Sequence, residues 1–259
     1  MKEYKGYLID LDGTMYRGEV EIEGAASFVH YLKKQHLPYL FLTNNSSKTA
    51  NQIAEKLVGL GIPADEKQVF TSSMATTSYI SDRNEKARVF AIGEYGLIDA
   101  LEEEGHTLVE EDADYVVMGI DRDISYEKLT KACLNVRAGA TLISTNGDIA
   151  IPTERGMVPG NGALTSVVSV STGVEPIFIG KPEPVIMSQA LEAIGMDKED
   201  VLMVGDNYLT DITAGMKAGL DTLMVETGVS TFEGIKGYNH QPTYTYNNLT
   251  DVIAALKSE

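Results

Sequence analysis

Gly6-Tyr7-Leu8-Ile9-Asp10-Leu11-Asp12-Gly13-Thr14 is the stretch on which the reading of this chain turns. A short apolar run, of a length suited to a buried strand, gives way to two carboxylates two positions apart and a glycine. In open α/β sheets ligands bind beyond the carboxyl ends of the strands, so an acidic turn at that place is where chemistry is expected. Gly13 permits a tight turn and close approach of the backbone. Asp-Gly pairs also make ordinary turns, so the weight of the reading comes from the rest of the chain.

Working outward, strand-like and helix-like segments alternate almost throughout. The pattern predicts strands at Tyr39–Leu42, Val69–Phe70, Arg88–Ile92, Asp114–Met118, Thr141–Ser144, Pro176–Ile179, Val201–Val204 and Asp221–Val225. It predicts helices at Ala25–Lys34, Thr49–Leu60, Ser73–Ser81, Leu97–Glu104, Tyr126–Ala138, Asn161–Thr172, Val185–Ile194, Asp211–Ala218 and Leu249–Lys257. Such alternation gives an α/β fold with parallel sheets and helices on both faces. The polar stretch Ser81–Lys86 and the turn-rich Gly180-Lys181-Pro182-Glu183-Pro184 read as boundaries. They predict a discontinuous core domain, residues 1–82 and 180–259, with an α/β domain of residues 83–179 inserted into it.

The chain has 259 residues, 43 % of them hydrophobic, which is ordinary globular composition. Its formal net charge of -17 repels phosphate backbones and anionic lipid, so nucleic acid and membrane are poor partners. Any anionic substrate must then meet a local positive charge. Cys133 is the only cysteine, which excludes an intramolecular disulfide and a thiolate zinc site. The N-terminus lacks an apolar signal core and no apolar run is long enough to span a bilayer, so the expected location is the cytoplasm.

Three further stretches bear on chemistry. Thr43-Asn44-Asn45 follows the second apolar strand and offers a hydroxyl and amides, donors suited to an anion, although Asn and Ser also start helices and loops. Lys181 lies between Gly180 and Pro182 directly after an apolar run, where its backbone has little freedom. Val204-Gly205-Asp206-Asn207-Tyr208-Leu209-Thr210-Asp211 places one aspartate at a strand end and another in the first turn of the next helix, where it would also suit the helix dipole.

Taken in order, these four stretches resemble the signatures of the haloacid dehalogenase-like hydrolases, which transfer phosphoryl groups through an aspartate. The resemblance implies a Rossmann-like core with Asp10 as nucleophile and Asp12 as general acid and base. It implies that Thr43, Asn44, Asn45 and Lys181 hold the phosphate. It also implies Mg²⁺ bound by Asp10, the main-chain carbonyl of Asp12 and Asp206, with Asp211 orienting metal-bound water. The chemistry is coherent: a carboxylate nucleophile divides one hard hydrolysis into two steps, and a neighbouring carboxyl serves both. Four carboxylates and a phosphate dianion need more compensation than Lys181 alone, and an all-oxygen ligand set favours Mg²⁺ over Zn²⁺.

The insertion lies between the second and third signatures, which resembles the NagD-type branch with a large α/β cap. Ile143-Ser144-Thr145-Asn146 and Pro159-Gly160-Asn161-Gly162 look like that branch as well. The cap is expected to close over the core and to choose the substrate. Asn146, Asp148 and the turn Glu154-Arg155-Gly156 are candidates for that choice; Asn146-Gly147-Asp148 is also an ordinary turn sequence. Pyridoxal phosphatases of the branch place an aromatic residue and a histidine after their equivalent aspartate. Here Ile149, Ala150 and Ile151 follow, which argues against that substrate. The expected partner is a small phosphorylated metabolite such as a sugar or acid-sugar phosphate, acted on by a monomer or homodimer. The alternatives are a metal-independent dehalogenase and a non-catalytic metabolite sensor on the same fold.

Overall fold

The structure is a computed structural model and describes residues 1–153 and 155–257. The chain divides into two compact units. One comprises Met1–Thr43, Asn51–Phe70 and the chain from Lys181 on, and the other Asn44–Ala50 with Thr71–Gly180.

The first unit is built on six strands: β1 (Gly6–Ile9), β2 (Tyr39–Thr43), β3 (Val69–Thr71), β4 (Val201–Gly205), β5 (Asp221–Val225) and β6 (Tyr244–Tyr246). Their order across the sheet is β6-β5-β4-β1-β2-β3. β1 pairs in parallel with β4 on one side and β2 on the other, with Ile9 opposite Val204 and Phe41. Every residue of β1, β2 and β4 is buried, as expected for parallel strands covered on both faces. The covering helices present one apolar side each: Phe28, Val29 and Leu32 from Ala25–Lys34, and Ile186, Met187 and Ala190 from Pro184–Ile194. The strand order reverses at β1, which makes its carboxyl end the switch point where ligands are bound in such sheets.

The second unit has a five-stranded sheet, all parallel, in the order 177–178, 141–144, 115–118, 88–92, 107–108. Phe90, Ile92, Val116, Met118, Leu142, Val136 and Val168 form its core. The short segment Asn44–Ala50 belongs to this unit because its backbone is hydrogen-bonded there. The Ser72 hydroxyl donates to Asn44 O at 2.8 Å and the Ser73 hydroxyl to Ser46 O at 3.1 Å. Gly96 N–H donates to Ser47 O at 3.1 Å.

Among the described residues the elements follow the expected alternation closely, with several departures, the short pair Tyr16–Arg17 with Val20–Glu21 and the helix Phe232–Ile235 among them. β6 lies in polar sequence without an apolar run, and the antiparallel pair Ala150–Thr153 with Gly156–Pro159 carries Pro152 and Pro159. A two-stranded edge tolerates proline because a missing N–H costs least there. The two-residue strand Thr107–Leu108 is too short to show a period. The helix expected from Asp211 starts only at Thr213, after a wide π turn over Tyr208–Ile212.

Candidate active site

Topology brings the carboxyl ends of β1, β2 and β4 side by side. Asp10 leaves β1 with its N–H still on Val204 O at 2.9 Å. The chain then folds into a turn in which Gly13 N–H donates to Tyr16 O at 2.8 Å. Gly13 adopts φ +94, and a Cβ there would stand 2.5 Å from Asp206 Oδ2, so conformation and space both require glycine. Asp206 follows β4 and is fully buried. Its Oδ2 accepts from Val229 N–H at 2.6 Å, and Gly228 lies so close that a Cβ would strike the carboxylate.

Lys181 joins this group from the start of the returning chain, its peptide bond to Pro182 being cis. It is 2 % exposed. Its ammonium donates to Asp10 Oδ1 at 2.5 Å, Asp211 Oδ1 at 2.8 Å and Leu42 O at 3.0 Å, which matches its three protons. Asp211 sits in the π turn, a feature often found at functional sites. Its other oxygen accepts from Asn207 N–H at 3.0 Å. The close approach of Gly205 leaves no room for a side chain beside it.

Thr14 completes the group. Its hydroxyl lies 3.2 Å from both Asp10 Oδ2 and Asp206 Oδ1. One hydroxyl has one proton, so it can serve only one carboxylate at a time. Oxygens of Asp10, Asp206 and Asp211 all lie within 4.8 Å of one another. Three buried carboxylates and one ammonium leave two negative charges uncompensated.

The titration of the groups reflects that excess. Burial, then the neighbouring Asp211, pushes the Asp10 carboxyl well above its ordinary range against the pull of Lys181. Burial, again followed by Asp211, raises Asp206 to about 6. Burial alone would lower Lys181, but Asp10 and Asp211 together hold it above its usual value and keep it charged. A dication would relieve all three carboxylates, and an all-carboxylate set suits a hard cation. Asp10, Asp206 and Asp211 can therefore hold a metal ion.

The other expected residues are placed differently. The Asp12 side chain is exposed and lies outside the carboxylate cluster; its Oδ2 accepts from the Tyr16 hydroxyl at 3.3 Å. Thr43 is buried at the end of β2. The Asn45 side-chain oxygen accepts from Ser47 N–H at 2.9 Å and Lys48 N–H at 3.1 Å, closing the turn before the helix Ala50–Gly59. Asn44 Nδ2 donates to Asp148 Oδ2 at 3.2 Å, and Asn146 Nδ2 donates to Asn44 O at 2.9 Å. Asn146 Oδ1 accepts from Asp148 N–H at 3.1 Å, so these three residues form one interlocked loop of the second unit. Arg155 is exposed, and Glu154 lies outside the described residues.

Sequence reasoning assigned no role to Thr14, Tyr16 or the loop Thr227–Ser230. Thr14 stood in the quoted motif, but nothing in the sequence says that its hydroxyl would reach a carboxylate almost two hundred residues away. The loop's only mark is a glycine shortly after a strand. It is tied to the acidic turn by the Thr227 hydroxyl donating to Gly13 O at 2.7 Å and by Arg17 donating to Thr227 O at 2.5 Å.

Comparison with known proteins identifies the family. Residues 7–107 match the family model described as haloacid dehalogenase-like hydrolase, and residues 178–252 match a second model of HAD-hydrolase type. The chain is 58 % identical over 253 residues to the 5'-nucleotidase YutF of Bacillus subtilis, covering 98 % of this chain and 99 % of that one. It is 54 % identical over 258 residues to the acid sugar phosphatase of Staphylococcus aureus, covering 99 % and 100 %. A crystal structure of a double mutant of the thermostable NPPase from Geobacillus stearothermophilus superposes with a TM-score of 0.92 at 55 % identity, covering 97 % of this chain and 98 % of that one. The aspartates gathered at the switch point thus stand in a chain that belongs to the haloacid dehalogenase-like hydrolases and is a phosphatase of that family.

Proposed function

We propose that the protein is a Mg²⁺-dependent phosphatase of small phosphorylated metabolites that works through an aspartyl-phosphate on Asp10. The observation that carries this reading is the convergence of Asp10, Asp206, Asp211 and Lys181, buried together at the carboxyl ends of β1 and β4. An oxygen of Asp10 bonds to phosphorus as the bond from phosphorus to the ester oxygen breaks. The electron pair leaves with that oxygen, which takes a proton from Asp12. In the second half, Asp12 takes a proton from water as the water oxygen bonds to phosphorus, and the phosphorus bond to Asp10 breaks. Lys181, already on Asp10 Oδ1, neutralises charge on nucleophile and phosphate alike, and the Thr43 hydroxyl with the amides of Asn44 and Asn45 receives phosphoryl oxygens. Asp10, the Asp12 carbonyl and Asp206 would hold the Mg²⁺, with Asp211 directing its water. The bound ion supplies the positive charge that lets an anionic carboxylate approach an anionic phosphate.

The inserted domain is read as the part that selects substrate, with Asn146 and Asp148 on its polar turn. Sugar phosphates, acid-sugar phosphates and p-nitrophenyl phosphate are the compounds to try first, because proteins named as an acid sugar phosphatase, a 5'-nucleotidase and a p-nitrophenyl phosphatase are similar along nearly the full length of this chain. No helix among the described residues is long and apolar enough to cross a membrane; the proposed location is the cytoplasm. The deciding experiment is phosphate release from such a panel, with Mg²⁺ titrated in and then removed by a chelator. Phosphate release that persists after chelation would overturn the metal requirement, halide release from a haloacid without metal would favour the dehalogenase, and no turnover of either kind would favour a sensor.

A further inference from the structure

The turn after β1 carries, four residues beyond Asp12, a group that holds it. Asp12 and Tyr16 face each other as a bridge pair, with Gly13 N–H on Tyr16 O at 2.8 Å and Tyr16 N–H on Leu11 O at 3.2 Å. This sets the Tyr16 hydroxyl 3.3 Å from Asp12 Oδ2. The two partners differ in burial. Asp12 is exposed. Tyr16 is 3 % exposed, and the ammonium of Lys56 lies 3.9 Å from its ring centroid. Lys56 is in turn 3.3 Å from Glu19. A buried ring under a cation is a rigid mount, and such cation–ring contacts are worth most where water is excluded.

We propose that Tyr16 is a positioning residue for the phosphatase reaction: its hydroxyl holds the Asp12 carboxyl in the orientation from which the proton reaches the departing oxygen. This rests on the reading of Asp12 as general acid and base. Tyr16 donates to Oδ2 and so steadies the carboxyl that exchanges the proton. In the first half-reaction the electron pair of the breaking phosphorus–oxygen bond goes to the leaving oxygen, and that oxygen bonds the proton from the Asp12 carboxyl. The Tyr16 hydroxyl keeps its own proton throughout.

A steadied acid matters only as far as the leaving oxygen needs a proton. The alkoxide leaving from a primary alkyl phosphate needs one, whereas p-nitrophenolate, a weak base, leaves without it. The ratio kcat/KM reports steps through transfer to Asp10, so it isolates this half-reaction.

Tyr16→Phe keeps the ring and removes only the hydroxyl. With Mg²⁺ saturating, kcat/KM should fall about tenfold on a primary alkyl phosphate and less than about twofold on p-nitrophenyl phosphate. Equal losses on both substrates, or no loss on either, overturns the proposal; a general weakening of the fold would lower both together. Lys56→Met leaves the hydroxyl but loosens its mount, and should show the same asymmetry at about two- to threefold. Equal losses there count against the proposal too, should Tyr16→Phe fail to fold by thermal melting. Asp12→Asn is measured beside them. Asymmetry in Asp12→Asn without any in Tyr16→Phe removes Tyr16 alone, whereas symmetric behaviour in Asp12→Asn removes the acid–base reading of Asp12 itself.

Discussion

The two units each present the carboxyl ends of a parallel sheet, and they use that place in opposite ways. In the first unit the strand ends carry buried charge: Asp10 and Asp206, with Lys181 and Asp211 beside them. In the second unit the end of the strand 141–144 carries a cluster of neutral groups. Asn161 Nδ2 donates among Met118 O, the Ser144 and Thr145 hydroxyls and Asn146 O, all at 3.0 to 3.2 Å. The Ser144 and Thr165 hydroxyls pair at 2.8 Å. The same architecture thus yields a strained electrostatic site in one case and an amide-centred brace in the other. What makes chemistry is the residue type set on the strand ends, not the fold that supplies them.

The comparison can be broken most severely at Asp10. Asp10→Asn should lower turnover by about four orders of magnitude or more while the thermal transition stays cooperative, because the nucleophile is lost and the packing is not. An activity within tenfold of wild type, in a phosphate-release assay, would place the nucleophile elsewhere.

Lys181→Met comes next. It removes the ammonium from two buried carboxylates, and breaking such a pair costs about 3 kcal/mol. Denaturant melts should show that loss without metal and a partial recovery with Mg²⁺; no recovery would mean that the cation does not bind these carboxylates. Asn161→Ala tests the neutral counterpart. Its acceptors lose a donor inside the second unit, so stability should fall by roughly 1–3 kcal/mol, with no metal dependence of the loss. A Mg²⁺-dependent loss in Asn161→Ala would erase the distinction between the two ends.

The smallest effect is the linkage between pH and metal. Asp206 titrates at about 6 in the folded metal-free protein, against about 3.9 for an unperturbed aspartate. Between those values the folded state binds more protons than the unfolded chain, so metal-free stability should fall as pH rises through that window, and the raised Asp10 carboxyl acts in the same direction. Mg²⁺ favours the ionised carboxylate and offsets the fall. The rise in melting temperature on adding Mg²⁺ should therefore be small near pH 5 and larger near pH 7.5. An equal rise at both values would detach Asp206 from the metal.

Much of the first unit was legible because its strands are buried on both faces and read as unbroken apolar runs, as in Tyr7-Leu8-Ile9 and Leu202-Met203-Val204. An aspartate directly after such a run must emerge at the sheet's carboxyl end, so Asp10 and Asp206 could be placed together before any coordinates. The strand Tyr244–Tyr246 and the pair Ala150–Thr153 with Gly156–Pro159 were not legible. They are short, half-exposed and interrupted by polar residues or proline, and so lack the periodicity that marks a buried strand.

By itself the sequence determined the alternation of strands and helices, the parallel sheets and the positions of the acidic and basic side chains along them, since all of these follow from local patterning. Only the tertiary structure decided that Asn44–Ala50 packs with the second unit, that Thr14 stands between Asp10 and Asp206, and that Tyr16 holds Asp12. Those facts rest on a few hydrogen bonds between groups whose partners polar composition alone does not select, and only the closing of a turn against a packed sheet fixes the partner each one finds.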